Sequence, residues 1–201
     1  MPDESPNTLS PGGGRLFVTS APSGTGKTTI NSRLAEEGVV RVSISSSSRP
    51  AREGEKHGVQ YFFVSKEEFL NMRDQGAFLE WAEVYGYYYG TSKEWVFRHL
   101  SQNKNILLEV DIQGARAVKK QMPEAVLIFI RPPSLEHLTE RIVSRAKDSA
   151  EVIKRRLASA ESELARADEY DHVIINDDLE RAVSKIRAII TKGEAHVQNN
   201  D

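Results

Sequence analysis

The chain has 201 residues and a formal net charge of -2, room for one sizeable core and too little charge bias to attract nucleic acid or an anionic membrane wholesale. Cysteine is absent, which excludes disulfides, thiolate nucleophiles and cysteine-based zinc sites and fits a reducing compartment. No apolar run approaches the roughly 20 residues of a membrane span, so the expectation is a cytoplasmic protein with neither a membrane nor a nucleic acid polymer as partner.

Residues 1–13 are rich in Pro, Ser, Asn and Gly and read as a disordered leader, and 196–201 as a frayed tail. Leu16-Phe17-Val18 is a short strand by its β-formers, and Thr28 to Glu37 is helical. Val40 to Ile44 reads as a second strand, Ser45 to Gly58 as a loop, and Tyr61 to Val64 as a third strand. Ser65 opens a helix, with Glu68 placed for a capping box. The aromatic stretch Phe78 to Tyr89, broken at Gly86, predicts paired short strands.

Beyond Thr91 the rhythm changes. Trp95, Phe97 and Leu100 suit a helix, and Ile106 to Val110 is the continuous apolar run of a strand buried on both faces. A helix from Gly114 and a strand from Val126 to Ile130 follow. Ser134 to Arg145 and Ala150 to Ala167 predict two charged helices, His172 to Ile175 a last strand, and Leu179 to Ile190 a last helix. Strand and helix alternate at both ends of the chain, which predicts a doubly wound α/β core. The stretch from Ser45 to about Tyr89 interrupts the alternation and predicts an inserted subdomain.

The most informative residues are Ala21-Pro22-Ser23-Gly24-Thr25-Gly26-Lys27-Thr28, which match a P-loop except that Ala21 stands at the first glycine position. Gly24 and Gly26 let the backbone turn so that several N–H groups face one concavity, and the following helix adds its positive end. Lys27 supplies a mobile charge to the β- and γ-phosphates, and the Thr28 hydroxyl is placed to ligate Mg²⁺. This motif indicates a nucleoside triphosphate without specifying the reaction. A second constellation starts in Ser45-Ser46-Ser47-Ser48-Arg49-Pro50-Ala51-Arg52-Glu53-Gly54-Glu55, where two arginines three apart can fork around a phosphate or simply form a solvated basic loop.

Glu80-Trp81, Tyr89-Gly90-Thr91, Asp111-Ile112-Gln113-Gly114 and Val173-Ile174-Ile175-Asn176-Asp177-Asp178 follow in order. With these motifs the chain, from about Gly14 to Ala195, closely resembles the guanylate kinases. The resemblance implies a P-loop NTPase-type doubly wound parallel sheet core (14–44 and 92–195), an inserted GMP-binding subdomain (45–91) and a helical lid (about 142–158). It also implies ATP as co-substrate, Mg²⁺, GMP and dGMP as acceptors, and a monomer or small homo-oligomer. By that likeness Arg49, Arg52, Tyr61 and Tyr89 bind the acceptor phosphate, while Ser45, Glu80 and Thr91 read the base. Asp111 orders Mg²⁺-bound water and touches the guanine edge. Arg145 and Arg156 join Lys27 and Arg49 as the catalytic cations, and Asn176 contacts adenine.

Two departures stand out. Glu109 occupies a position where the family often has Asp, and Ala146-Lys147-Asp148-Ser149 replaces a Gly-Thr-Glu-Thr-like lid turn. Arg141 and Arg155 are expected to form i,i+4 surface pairs. Two other readings stay open at this point: a non-catalytic guanylate-kinase-like interaction domain, and a P-loop kinase for another small phosphorylated acceptor.

Overall fold

The structure, a computed structural model, describes residues 13–145 and 150–192, and among these the side chains of residues 144, 145, 150 and 192 are not described. The expected leader (all but Gly13), the lid turn at 146–149 and the tail lie outside the described residues. A five-stranded sheet is built from β1 (Leu16–Ser20), β2 (Arg41–Val42), β7 (Ile106–Glu109), β8 (Val126–Arg131) and β9 (His172–Ile175), in the order β2-β7-β1-β8-β9. Every pairing in it is parallel.

Strand alternation explains how both faces are covered. Leu16, Val18, Ile106, Leu108, Leu127 and Phe129 enter one apolar cluster with Val96 and Leu100 of α3 (Lys93–Leu100) and Ala115 and Val118 of α4 (Ile112–Gln121). The intervening Phe17, Leu107, Ile128 and Ile130 enter the opposite cluster with Ile30 and Leu34 of α1 (Lys27–Glu36) and Val183 and Ile186 of α7 (Leu179–Lys192). Period-two burial on both sides produces the continuous hydrophobic runs seen in the sequence. This is the expected doubly wound α/β core.

A second, mixed sheet has the order β4-β3-β6-β5, from β3 (Ser46–Ser47), β4 (Phe62–Phe63), β5 (Phe78–Val84) and β6 (Tyr87–Ser92). Helix α2 (Lys66–Asp74) lies against it through Phe69, which stacks on Phe78 at 4.5 Å and on Tyr88 at 5.5 Å. The Ser65 hydroxyl accepts the Glu68 N–H at 3.0 Å, as the capping motif predicts. Two further helices, α5 (Leu135–Arg145) and α6 (Ala150–Leu164), pack on each other through Leu138, Ile142 and Ala160.

Three expectations need correction. Ser46-Ser47 is a strand within the predicted loop, pairing with Phe62-Phe63 on one side and with Tyr89 and Gly90 on the other. Serine carries no apolar alternation, and it is these partners that make the strand. The predicted strand Val40–Ile44 pairs only at Arg41–Val42. Helix α4 begins at Ile112, two residues before Gly114, because the Asp111 carboxylate caps it by accepting the Gly114 N–H at 2.7 Å.

Candidate active site

The P-loop residues Ala21 to Gly26 link the carboxyl end of the central strand β1 to the start of α1, the place where open α/β sheets bind ligands. Gly26 has φ 98°, in the left-handed region that a side chain resists, and an added Cβ would stand 2.8 Å from the Asn176 amide nitrogen. The loop is braced from three sides. The Thr25 N–H donates to the Pro22 carbonyl at 3.1 Å. The Thr25 carbonyl accepts from Asn176 Nδ2 at 2.6 Å and from Arg141 at 3.3 Å. Arg156 of α6 donates to the Ser23 hydroxyl at 2.8 Å.

Asn176 is thus a buried brace for the loop, and its amide nitrogen is already engaged there. Arg141, expected on a solvated face, instead reaches Thr25, because α5 packs over the loop with Leu138 and Ile142 near Gly24. Arg156, which the resemblance assigns to the phosphates, lies at the cradle against the Ser23 hydroxyl. The side chain of Arg145 lies outside the described residues.

Lys27 Nζ donates to the Val110 carbonyl at 3.2 Å and stands 4.0 Å from the Glu109 carboxylate. Burial lowers its pKa, while Glu109, Asp111 and Glu163 pull it back up. The Thr28 hydroxyl donates to Glu109 Oε1 at 2.7 Å, and Asn31 of α1 donates to Glu109 Oε2 at 3.0 Å. Glu109 therefore organises the floor beneath the cradle. Its position at the end of the apolar run, two residues before Asp111, is the available sequence signal. A threonine hydroxyl beside carboxylates is a set of hard oxygen donors that fits Mg²⁺. Among the described residues no group of three or more His, Asp or Glu side chains is placed to hold a metal ion.

The second sheet carries the other predicted residues. Arg49 is buried, and its guanidinium grips Glu55 through two hydrogen bonds of 2.7 and 2.6 Å and also donates to the Pro50 carbonyl at 2.9 Å. It lies 5.1 Å from the Tyr61 ring centre, and Tyr61 meets Tyr89 edge-on at 5.8 Å. Arg49 and the Arg52 N–H together hold the Glu55 carboxyl down at about 2. The sequence motif contained Glu55 but gave no reason to single it out, since its role depends on the folded loop. Arg52 is exposed at the outer side of this loop.

Glu80 of β5 and Asp111, the cap of α4 just beyond β7, converge. A Cβ on Gly114 would lie 3.4 Å from a carboxylate oxygen of each. The buried Thr91 hydroxyl donates to Glu80 Oε1 at 2.5 Å and fixes that carboxylate. Burial pushes the Glu80 pKa up, Thr91 opposes the shift, and Asp111 adds to it. Ser45 precedes β3, and its carbonyl accepts the Phe62 N–H at 2.9 Å. The result is a notch with two carboxylates, kept open by a residue without a side chain, beside a phosphate-type cradle.

The family model described as guanylate kinase matches residues 13–193. Among similar curated proteins, guanylate kinase from Syntrophomonas wolfei is 49% identical over 187 residues, covering 92% of this chain and 96% of the relative. Guanylate kinase from Caldanaerobacter subterraneus is 50% identical over 188 residues, covering 93% and 91%. A crystal structure of guanylate kinase from Anaplasma phagocytophilum superposes with a TM-score of 0.71 at 34% identity, covering 92% of this chain and 89% of that one.

Proposed function

The chain belongs to the guanylate kinase family, and from that premise we propose that it transfers the γ-phosphoryl group of ATP to GMP, giving ADP and GDP, with dGMP as a second acceptor. The observation that carries the acceptor assignment is the pair of carboxylates at Gly114. Guanine presents adjacent N1–H and N2–H donors on one edge, and carboxylates accept both. Adenine lacks the N2 amine and would turn its N1 acceptor toward negative charge. Leaving such polar groups unpaired supports discrimination of roughly 10⁴ or more.

Arg49, Arg52, Tyr61 and Tyr89 take the acceptor phosphate, and Ser45, Glu80, Thr91 and Asp111 take the base. Glu55 holds Arg49 in place before the phosphate arrives, so the fork is oriented in advance. The P-loop N–H groups and Lys27 take the ATP phosphates, and Asn176 keeps that loop in shape. Thr28, together with Asp111 acting through water, is suited to hold Mg²⁺, which when bound neutralises charge on the β- and γ-phosphates. Acceptor phosphate oxygens are already ionised near neutral pH, so no general base is required. Catalysis is alignment plus charge neutralisation by Lys27, Arg49, Arg145 and Arg156.

Residues 45–91 act as the acceptor subdomain and about 142–158 as a lid, with Arg156 at the cradle linking lid position to bound phosphate. Closure excludes water, the competing nucleophile. The family's small-molecule chemistry fits work in the cytoplasm as a monomer or small homo-oligomer. Among the described residues no helix is long and apolar enough to cross a membrane. The P-loop, with Lys27 and Thr28 in register, favours an enzyme over an interaction module. A coupled ADP-release assay with GMP, dGMP, AMP, CMP and UMP tests the reading. Turnover confined to the guanine nucleotides is expected, and equal turnover of AMP would overturn the acceptor assignment.

A further inference from the structure

A cleft of about 470 Å³ opens between the first turns of α4 and the C-terminal half of α6, lined by Asp111, Gln113, Arg116, Ser159, Ser162 and Glu163 among others. None of these except Asp111 has a part in the reading above. Ser159, Ser162 and Glu163 share one face of α6, by their spacing of three and four residues. Arg156, three residues before Ser159, lies on that same stripe and meets the P-loop at Ser23. One helix face thus borders both the phosphate cradle and this cleft.

The chemistry of the cleft points away from a phosphate. Arg116 is paired with Glu169, and Arg166, also in the lining, stands 3.9 Å from the same carboxylate. The other charged groups, Asp111 and Glu163, would repel an anion. A neutral polyol suits such walls, since carboxylates and serine hydroxyls accept and donate to hydroxyl groups. Glu163 is held in orientation by the Ser159 hydroxyl, which donates to its Oε1 at 3.0 Å. It lines the cleft together with Asp111 of the base notch, and it feels the charge of Lys27 from the phosphate cradle. The sugar of a nucleotide occupies the same place between base and phosphate.

We infer that Glu163, oriented by Ser159, is the ribose-reading residue of the acceptor site, its carboxylate accepting the 2′- and 3′-hydroxyls of the nucleoside monophosphate. The inference rests on the acceptor assignment above. Asp111 belongs both to the notch at Gly114 and to this cleft, which makes the cleft continuous with the base-reading notch.

The test compares kcat/KM for GMP, 2′-deoxy-GMP and 3′-deoxy-GMP in the wild-type chain and in Glu163→Gln. In the wild type each deoxy compound should be poorer than GMP by roughly tenfold, as expected for losing a hydrogen bond to a charged acceptor. In Glu163→Gln the preference for GMP should shrink to about twofold, with the change in the KM of the acceptor and not of ATP. Ser159→Ala should shrink it partway. Equal use of all three acceptors by the wild type would overturn the inference without needing any variant. So would a Glu163→Gln protein whose KM for ATP rises while the ribose preference stays put, because Glu163 would then serve Lys27 instead. Failure to phosphorylate any guanine nucleotide would overturn the acceptor reading itself, and this inference with it.

Discussion

The two phosphate sites are built on opposite plans. The cradle at the end of β1 is made of backbone, seated on the central strand, and braced by Arg141 of α5, Arg156 of α6 and the buried Asn176 after β9. The acceptor loop is made of side chains. Arg49 is held by Glu55, Pro50 and aromatic rings on a small sheet with a serine strand at its centre. One site is braced through its backbone, and the other is held by ion pairing on a separate sheet. A triphosphate is common to many reactions, while the acceptor gives this reaction its identity, and the construction from side chains falls where that identity lies.

Removing the cradle's point charge should produce the largest effect. Lys27→Ala is expected to lower kcat by about 10² to 10³, read by steady-state ADP release, and near-wild-type turnover would remove Lys27 from the mechanism. Glu80→Ala should leave the KM for ATP in place while GMP-over-AMP preference drops by roughly 10². An unchanged preference would detach Glu80 from base reading. Glu55→Ala should raise the KM for GMP about tenfold and spare that for ATP, by loosening a charge-assisted grip on Arg49. Equal effects on both substrates would erase the contrast between the sites.

Asn176→Ala attacks the cradle's brace and should cost about 1–3 kcal/mol of stability in denaturant melts, since it withdraws a buried donor from the Thr25 carbonyl. The smallest effects concern pH. Glu80 has a folded pKa raised by burial, so the folded state binds its proton more readily than the unfolded chain. Its contribution to stability therefore improves as pH falls through the raised value, whereas guanine binding needs the ionised form and weakens. Glu55 runs the other way. Its pairing stabilises above the ordinary value of 4.5 and is lost as pH falls toward about 2. Titrating the KM for GMP and thermal stability together should show acceptor affinity failing first while the fold holds. Parallel loss of both would contradict this assignment.

Legibility in the sequence follows the same division. The cradle could be read because its pattern lies in eight consecutive residues between a strand and a helix. The core strands β1, β7 and β8 could be read because burial on both faces leaves unbroken apolar runs, whereas β2, with Arg41 exposed, pairs over only two of the five residues expected. The strand Ser46-Ser47 could not, as its pairing is imposed by Phe62-Phe63 and by Tyr89-Gly90 from further along the chain. Arg141 and Glu55 escaped for a related reason. An arginine on a charged helix, or a glutamate in a polar loop, looks the same whether it faces water or a partner 116 residues away in sequence, as Arg141 does. The base notch was named through its residues, but the meeting of Glu80 and Asp111 over Gly114 is a fact of tertiary structure alone.

The bond from Asn176 to Thr25 spans 151 positions of the chain. A polypeptide leaving the ribosome would therefore display the whole glycine-and-lysine turn long before its latch had been synthesised, and β1 would still lack both of its neighbours, β7 and β8. The shape of the turn is therefore set by chain far beyond it, through a latch 151 positions away and two neighbouring strands that both come later in sequence.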